Sequence, residues 1–257
     1  MKTYFLVLLA ISILFTSTVL AQEIDESLVL YLPFDEGSGD VAKDYSQYGN
    51  DGTLNGKPEW VEGKFGNALE FKGSQWVSIP STPKLQIGDQ LTMMAWFFAK
   101  DISDWRQLIA KSDEYLLRVD PPQEGNKMSA FVKAQGNWEP RASATVPKKE
   151  EWIHFAATYD AKPKQDVNHL NVYVNGVLSG SSTRPGKIAT TENPVEIGRW
   201  GDGSYFVGII DEVRIWNKVL SEEEISHQMS IGKEGLWTVQ PLSKLTTTWG
   251  KIKNGMK

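Results

Sequence analysis

Apolar and polar residues alternate with a period of two along most of this chain. That pattern places every second side chain on one face of a strand and cannot be accommodated on a helix. Leu170, Val172 and Val174 alternate with Asn171, Tyr173 and Asn175, and the run ends at Asn175-Gly176, the strongest short signal for a hairpin turn. Val177 and Leu178 begin the return strand. Comparable runs fall at 28–32, 68–71, 75–79, 91–99, 106–111 and 114–119, and again at 127–133, 152–159, 195–200 and 206–216. Gly37-Ser38-Gly39, Pro121-Pro122, Pro163-Lys164 and Asp202-Gly203 interrupt them, with residues that turn a chain rather than extend a helix. Many short strands with no helices between them predict an all-β sandwich or barrel.

One helix stands apart, near the C-terminal end. Ser221 is placed as its N-cap and Glu224 as the reciprocal partner of a capping box, while Glu222 and Glu223 complement the positive end of the helix dipole. Leu220 and Ile225 fit a hydrophobic staple, and Met229 extends the same apolar stripe. The expectation is a lid on the sandwich. Residues 232–257 then turn basic and polar, with isolated Trp237 and Trp249, and read as a tail.

At the other end Lys2 precedes an apolar run over 5–15, broken only by Ser12, and small residues lead to Ala21. This is the pattern of a secretory signal peptide over 1–21, with the mature chain starting at Gln22. An uncleaved anchor is the other reading of the same stretch, since 4–20 is near the lower limit for a membrane span. Export to the periplasm, cell surface or medium follows from either. The chain has no cysteine, so neither a disulfide framework nor a thiol-linked lipid anchor is available to it. A net charge of -5 disfavours nucleic acid and anionic lipid surfaces. The remaining 22–231 is long for a domain but ordinary for one β-sandwich.

Four segments carry a family resemblance: "LVLYLPFDEGSGDVAKDYSQYGNDGTLNG", "GKFGNALEFKG", "EWIHFAATYD" followed by "LNVYVNG", and "GIIDEVRIWNKVLSEEEI". In this order and spacing the chain resembles the laminin-G-like, concanavalin A-like lectin/glucanase group. The resemblance implies a two-sheet antiparallel jelly-roll β-sandwich with one short C-terminal helix. It does not name a function, because lectins, hydrolases and adhesion modules share that fold. Structural calcium is common in the wider group, and the resemblance supplies no ligand set for this chain.

From the residues themselves, the turn region after the first strand is rich in Gly, Asp and Asn. Such a loop needs left-handed backbone positions and local side-chain hydrogen bonds, and its oxygens also suit Ca²⁺. Asp35, Asp44, Asn50 and Asp211 are the candidate ligands, with metal-free Asx-turns as the alternative. Strict alternation puts Asp211 on one face with Ile209, Val213 and Ile215, where a carboxylate needs donors or a cation. Glu212 and Arg214 share the opposite face as an ordinary ion pair.

Catalytic signatures are missing from the sequence. Glycoside cleavage needs two carboxyl groups on one face, and the Glu-x-Asp-x-x-Glu strand of glucanases with this fold does not occur. His154, His169 and His227 lack metal-ligand spacing, and there is no cysteine or G-x-S-x-G nucleophile. The expectation is a non-catalytic module. Trp105, Trp138 and Trp200 stand in polar loops, flanked by Asp, Asn and Arg; with Arg141 and Tyr205 they form the candidate ligand-binding set. Flat apolar rings beside hydrogen-bonding groups suit carbohydrate. The same rings could close the edges of a sandwich in a protein-interaction or structural module of the cell surface, and a hydrolase of the same fold ranks behind both.

Overall fold

A computed structural model describes residues 25–164, 168–201 and 203–236. The signal-peptide stretch with its cleavage position, Asp202 and the tail from Trp237 onward lie outside the described residues.

Alternation does what it predicts. Two eight-stranded antiparallel sheets face each other. The first runs Val177–Ser182, Leu170–Val174, Trp152–Asp160, Gln90–Ala99, Val207–Trp216, Asn67–Lys72 and Glu59–Glu62, with Leu28–Leu32 also bonded to Val207–Trp216. The second runs Ala142–Ser143, Met128–Val132, Tyr115–Val119, Arg106–Lys111, Val195–Ile197, Trp76–Ile79, Gly52–Asn55 and Val41–Ala42. Leu30, Leu69, Phe97, Phe155, Val213 and Ile215 from the first sheet meet Val77, Ile109, Leu117, Ala130 and Ile197 from the second in one buried core. The expected hairpin at Asn175-Gly176 has both residues at positive φ, 50° and 82°, as a twisted two-residue turn requires.

The turn region after the first strand is more ordered than its composition implies. Val41–Ala42 pairs with Gly52–Asn55, which in turn pairs with Trp76–Ile79. Short strands of two and four residues are too brief to show a period.

A bulge corrects the reading of Val207–Trp216. The register slips between Asp211 and Arg214, and Glu212 adopts φ 56°. The faces therefore exchange at Glu212. Ile210, Val213 and Ile215 point into the core, while Asp211, Arg214 and Trp216 point away from it. Asp211 does not share a face with Val213 and Ile215. Its Oδ2 instead accepts the Lys64 and Phe65 backbone N–H groups at 2.8 and 3.0 Å.

The capping box forms as expected at the helix Glu222–Met229: Glu224 N–H donates to Ser221 Oγ at 3.2 Å, and Ser221 N–H to Glu224 Oε2 at 2.7 Å. Leu220 and Ile225 are buried against Leu28, Tyr31, Met94, Ala156, Tyr173 and Trp216. The helix lies over the outer face of the first sheet. Its final carbonyls are met from that sheet, Met229 by the Trp96 indole N–H at 3.1 Å and Gln228 by the Arg214 guanidinium.

Candidate functional site

The outer face of the second sheet has no such helix over it among the described residues. Leu117 and Ala130 point into the core, so their strand neighbours Leu116 and Phe131 point outward, and with Ala110 they form a separate small cluster. Register extends that row across the sheet to Glu196 and Ser78. A second row runs Ser143, Ser129, Arg118, Gln107.

Trp138 reaches this face from the turn after Met128–Val132, held by paired Ala134–Asn137 backbone bonds of 3.1 Å. Trp200 reaches it from the hairpin Arg199–Trp200/Ser204–Tyr205. The two indoles pack edge to face over Phe131, with centroids 6.3 Å apart. On the other side of the hairpin, Tyr205 lies 6.2 Å from Trp76, whose ring carries the Arg199 guanidinium at 3.9 Å. Arg118 and Arg141 lie over the Phe131 ring at 4.4 and 4.8 Å. Trp105 is 42% exposed, and its carbonyl and that of Tyr205 both accept from Arg106 at 3.3 and 3.2 Å. All five candidate binding residues thus belong to one connected constellation.

Carboxylates hold the arginines in place. Arg118 bonds Asp120 at 2.7 Å and Glu124 at 2.9 Å; Arg141 bonds Asp120 at 3.1 Å, Glu139 at 2.7 Å and also Glu124. Burial alone would raise the Glu124 carboxyl, but hydrogen bonding and charge from Arg141 and Arg118 outweigh it and hold it below its ordinary value. Asp101 is likewise held low by Arg106 against the opposing effect of burial. The carboxyls raised by burial lie on the other sheet: Asp211 to about 8, with Glu212's charge adding to the effect, and Glu212 to about 7.

Phe131, Arg118, Gln107 and Trp76 were not among the sequence candidates. Alternation places Phe131 and Ser129 on one face, and likewise Trp76 and Ser78; an aromatic sharing a face with a serine was the available signal.

The candidate calcium ligands fall into two groups. Asp44 and Asn50 organise the turn region: Asp44 accepts from the backbone N–H groups of Tyr31, Ser46 and Asn50 at 2.9, 2.8 and 2.7 Å. Asn50 donates to the Val29 carbonyl at 2.8 Å and accepts from Thr82 at 3.1 Å. Asp35 and Asp211 flank the turn Gly63 to Asn67, with Asp35 accepting the Asn67 N–H at 3.0 Å. A Cβ at Gly66, φ 54°, would collide with the Asp35 carboxylate, and one at Gly63 would lie 2.7 Å from Asp211 Oδ2. This explains both glycines of "GKFGN". No group of three or more His, Cys, Asp or Glu converges on one centre among the described residues.

The Glu212–Arg214 pair forms at 2.6 Å, as expected, and is buried. Tyr31 donates to Glu212 at 2.8 Å and accepts from Arg214 at 3.0 Å, and Arg214 also donates to the Ile231 carbonyl at 2.7 Å. A polar cavity of about 490 Å³ at one end of the sandwich is lined by Lys84, Gln86, Asp89, Gln90 and Asn217 among others, with no aromatic ring on which a sugar could stack.

Known proteins share this arrangement of sheets. The family described as the concanavalin A-like lectin/glucanases superfamily matches residues 71–226. Domain 4 of AbnA, a GH43 extracellular arabinanase from Geobacillus stearothermophilus, solved with arabinotriose, has a TM-score of 0.62 at 21% identity, over 79% of this chain and 98% of that one. The binding domain of botulinum neurotoxin DC has been solved with SialylT, at a TM-score of 0.61 and 12% identity, over 82% of this chain and 51% of that one. The same domain with rat synaptotagmin II gives 0.62 at 13% identity, over 83% and 52%. The chain therefore spans about half the length of the toxin domains. No curated protein matches it.

Proposed function

The chain belongs to the concanavalin A-like lectin/glucanase superfamily, and from that premise we propose that the outer face of its second sheet binds carbohydrate without cleaving it. One observation carries the proposal. Trp105, Trp138 with Arg141, and Trp200 with Tyr205 come from three segments distant in sequence, yet meet around Phe131 and Trp76 on a single face. Partly exposed rings offer stacking surface to sugar rings, and the ordered polar groups between them fix orientation at little entropic cost. The carbohydrate-bound domain 4 of the arabinanase supports this reading by analogy of fold. Non-catalytic status is supported by Glu124 and Asp101, two carboxyls of this face that arginines hold low, where a glycosidase acid must be raised. The N-terminal pattern supports an exported protein that works outside the cytoplasm.

A protein-interaction role on the cell surface is the second reading. Its support is the edge strand Val177–Ser182, where Val177 and Leu178 are 60% and 47% exposed, together with the toxin binding domain solved with rat synaptotagmin II. A glycan array on the full chain separates the two, with Trp138→Ala, Trp200→Ala and Leu178→Ser run in parallel. Glycan retention lost with either tryptophan and kept in Leu178→Ser supports the carbohydrate face. Full retention in both tryptophan variants refutes it.

A further inference from the structure

We infer that the face selects uncharged oligosaccharides and turns away sialylated or uronic ones. This rests on the carbohydrate reading and specifies its ligand class. Arginines beside aromatic rings would ordinarily advertise a site for a sugar carboxylate. Here every one of them is already committed.

Arg106 is paired with Asp101, Arg118 with Asp120 and Glu124, Arg141 with Asp120, Glu124 and Glu139, and Arg199 with Glu196. Three of these guanidiniums also lie over rings, Arg118 and Arg141 over Phe131 and Arg199 over Trp76. Lys133, over Trp138, is bonded to Asp113. With exposed Asp104 beside Trp105, seven carboxylates of the face stand against its four arginines and Lys133. An incoming anion would meet excess negative charge and could gain an arginine only by displacing the carboxylate that holds it.

The hydrogen-bonding capacity left over is neutral. Gln107 lies in the outward row beside Arg118, fully buried, and neither its amide oxygen nor its amide nitrogen has a partner. Buried polar atoms without partners are rare and costly, and an amide offering one donor group and one acceptor matches a hydroxyl pair rather than a carboxylate. The face therefore offers rings and closed ion pairs, with the unpartnered Gln107 amide buried beneath its surface.

The test is an array in which neutral oligosaccharides are printed beside their sialylated or uronate counterparts, probed with the full chain. Asp101→Asn and Glu196→Gln, which remove the carboxylate partners of Arg106 and Arg199, are probed alongside. The expected result is a preference for the neutral member of about tenfold or more, with both variants gaining anionic sugars. Equal or stronger capture of the anionic members by the unaltered chain overturns the selectivity while leaving the carbohydrate reading intact. Capture of no glycan by folded protein overturns both.

Discussion

The two outer faces of the sandwich are built from similar ingredients and differ in what covers them. Each carries aromatic rings, arginines and carboxylates outside the shared core. On the first sheet these are sealed. Helix Glu222–Met229 lies over Tyr31, Met94 and Trp216, and the Glu212–Arg214 pair beneath it is withdrawn from solvent. On the second sheet the corresponding rings keep part of their surface in water, and Arg141 and Glu124 remain partly exposed. Burial converts charge into structure, because a buried ion cannot lose its partner cheaply. Partial exposure leaves ring and hydrogen-bond surface available to a ligand. The lesson is that the covering element, and not residue type, separates a sealed face from one left open to a ligand.

Removing one arginine from each face breaks that comparison most forcefully. Arg214→Ala strands Glu212 under the helix and should cost about 3–5 kcal/mol in denaturant unfolding. Arg141→Ala leaves Asp120 held by Arg118 and Ser129 and should cost about 1 kcal/mol or less. Equal losses would erase the distinction between the faces. Next in size, Ile225→Ala should cost about 2–4 kcal/mol by opening a cavity under the helix, with glycan binding unchanged at temperatures where the protein stays folded.

The pH response sharpens the comparison, since the strongly perturbed histidine and carboxyls lie on the sealed side. His154, packed 5.3 Å from Trp96, is lowered to about 3 by burial and then by the charge of Arg214. Between about 3 and 6.5 the unfolded chain binds a proton at His154 that the folded chain refuses, so this contribution to stability is lost as pH falls. Asp211 has the opposite sign. Raised to about 8 by burial and by Glu212, it binds a proton in the folded state that the unfolded chain has released, so stability is lost as pH rises from about 4 to 8. Melting temperatures should show His154→Phe flattening the acid side and Asp211→Asn raising stability near pH 8. Asp211→Asn keeps a carbonyl oxygen for the Lys64 and Phe65 N–H groups. No gain at pH 8 would contradict the assignment. Smallest of all, Ser221→Ala removes one half of the capping box and should cost about 1 kcal/mol.

The sealed face was the more legible of the two in the sequence. Capping box, staple and lid were all local patterns over Leu220 to Met229, and the structure keeps each of them. What alternation could not reveal was the bulge at Glu212, because a single left-handed residue reverses every face assignment beyond it while leaving the composition of the strand unchanged. The open face was legible residue by residue, as tryptophans in polar turns. Their convergence was not, because it depends on the order in which strands distant in sequence pair. Arg106–Lys111 lies between Tyr115–Val119 and Val195–Ile197, and that neighbourhood brings the Trp200 hairpin to Phe131 and Trp138.

Amide hydrogen exchange with and without a neutral oligosaccharide chosen from the array tests the central claim most directly. The account predicts slowed exchange along Met128–Val132 and Arg106–Lys111 and in the turns carrying Trp138 and Trp200, with the helix Glu222–Met229 unchanged. Protection confined to the helix side, or to the edge strand Val177–Ser182, would contradict it.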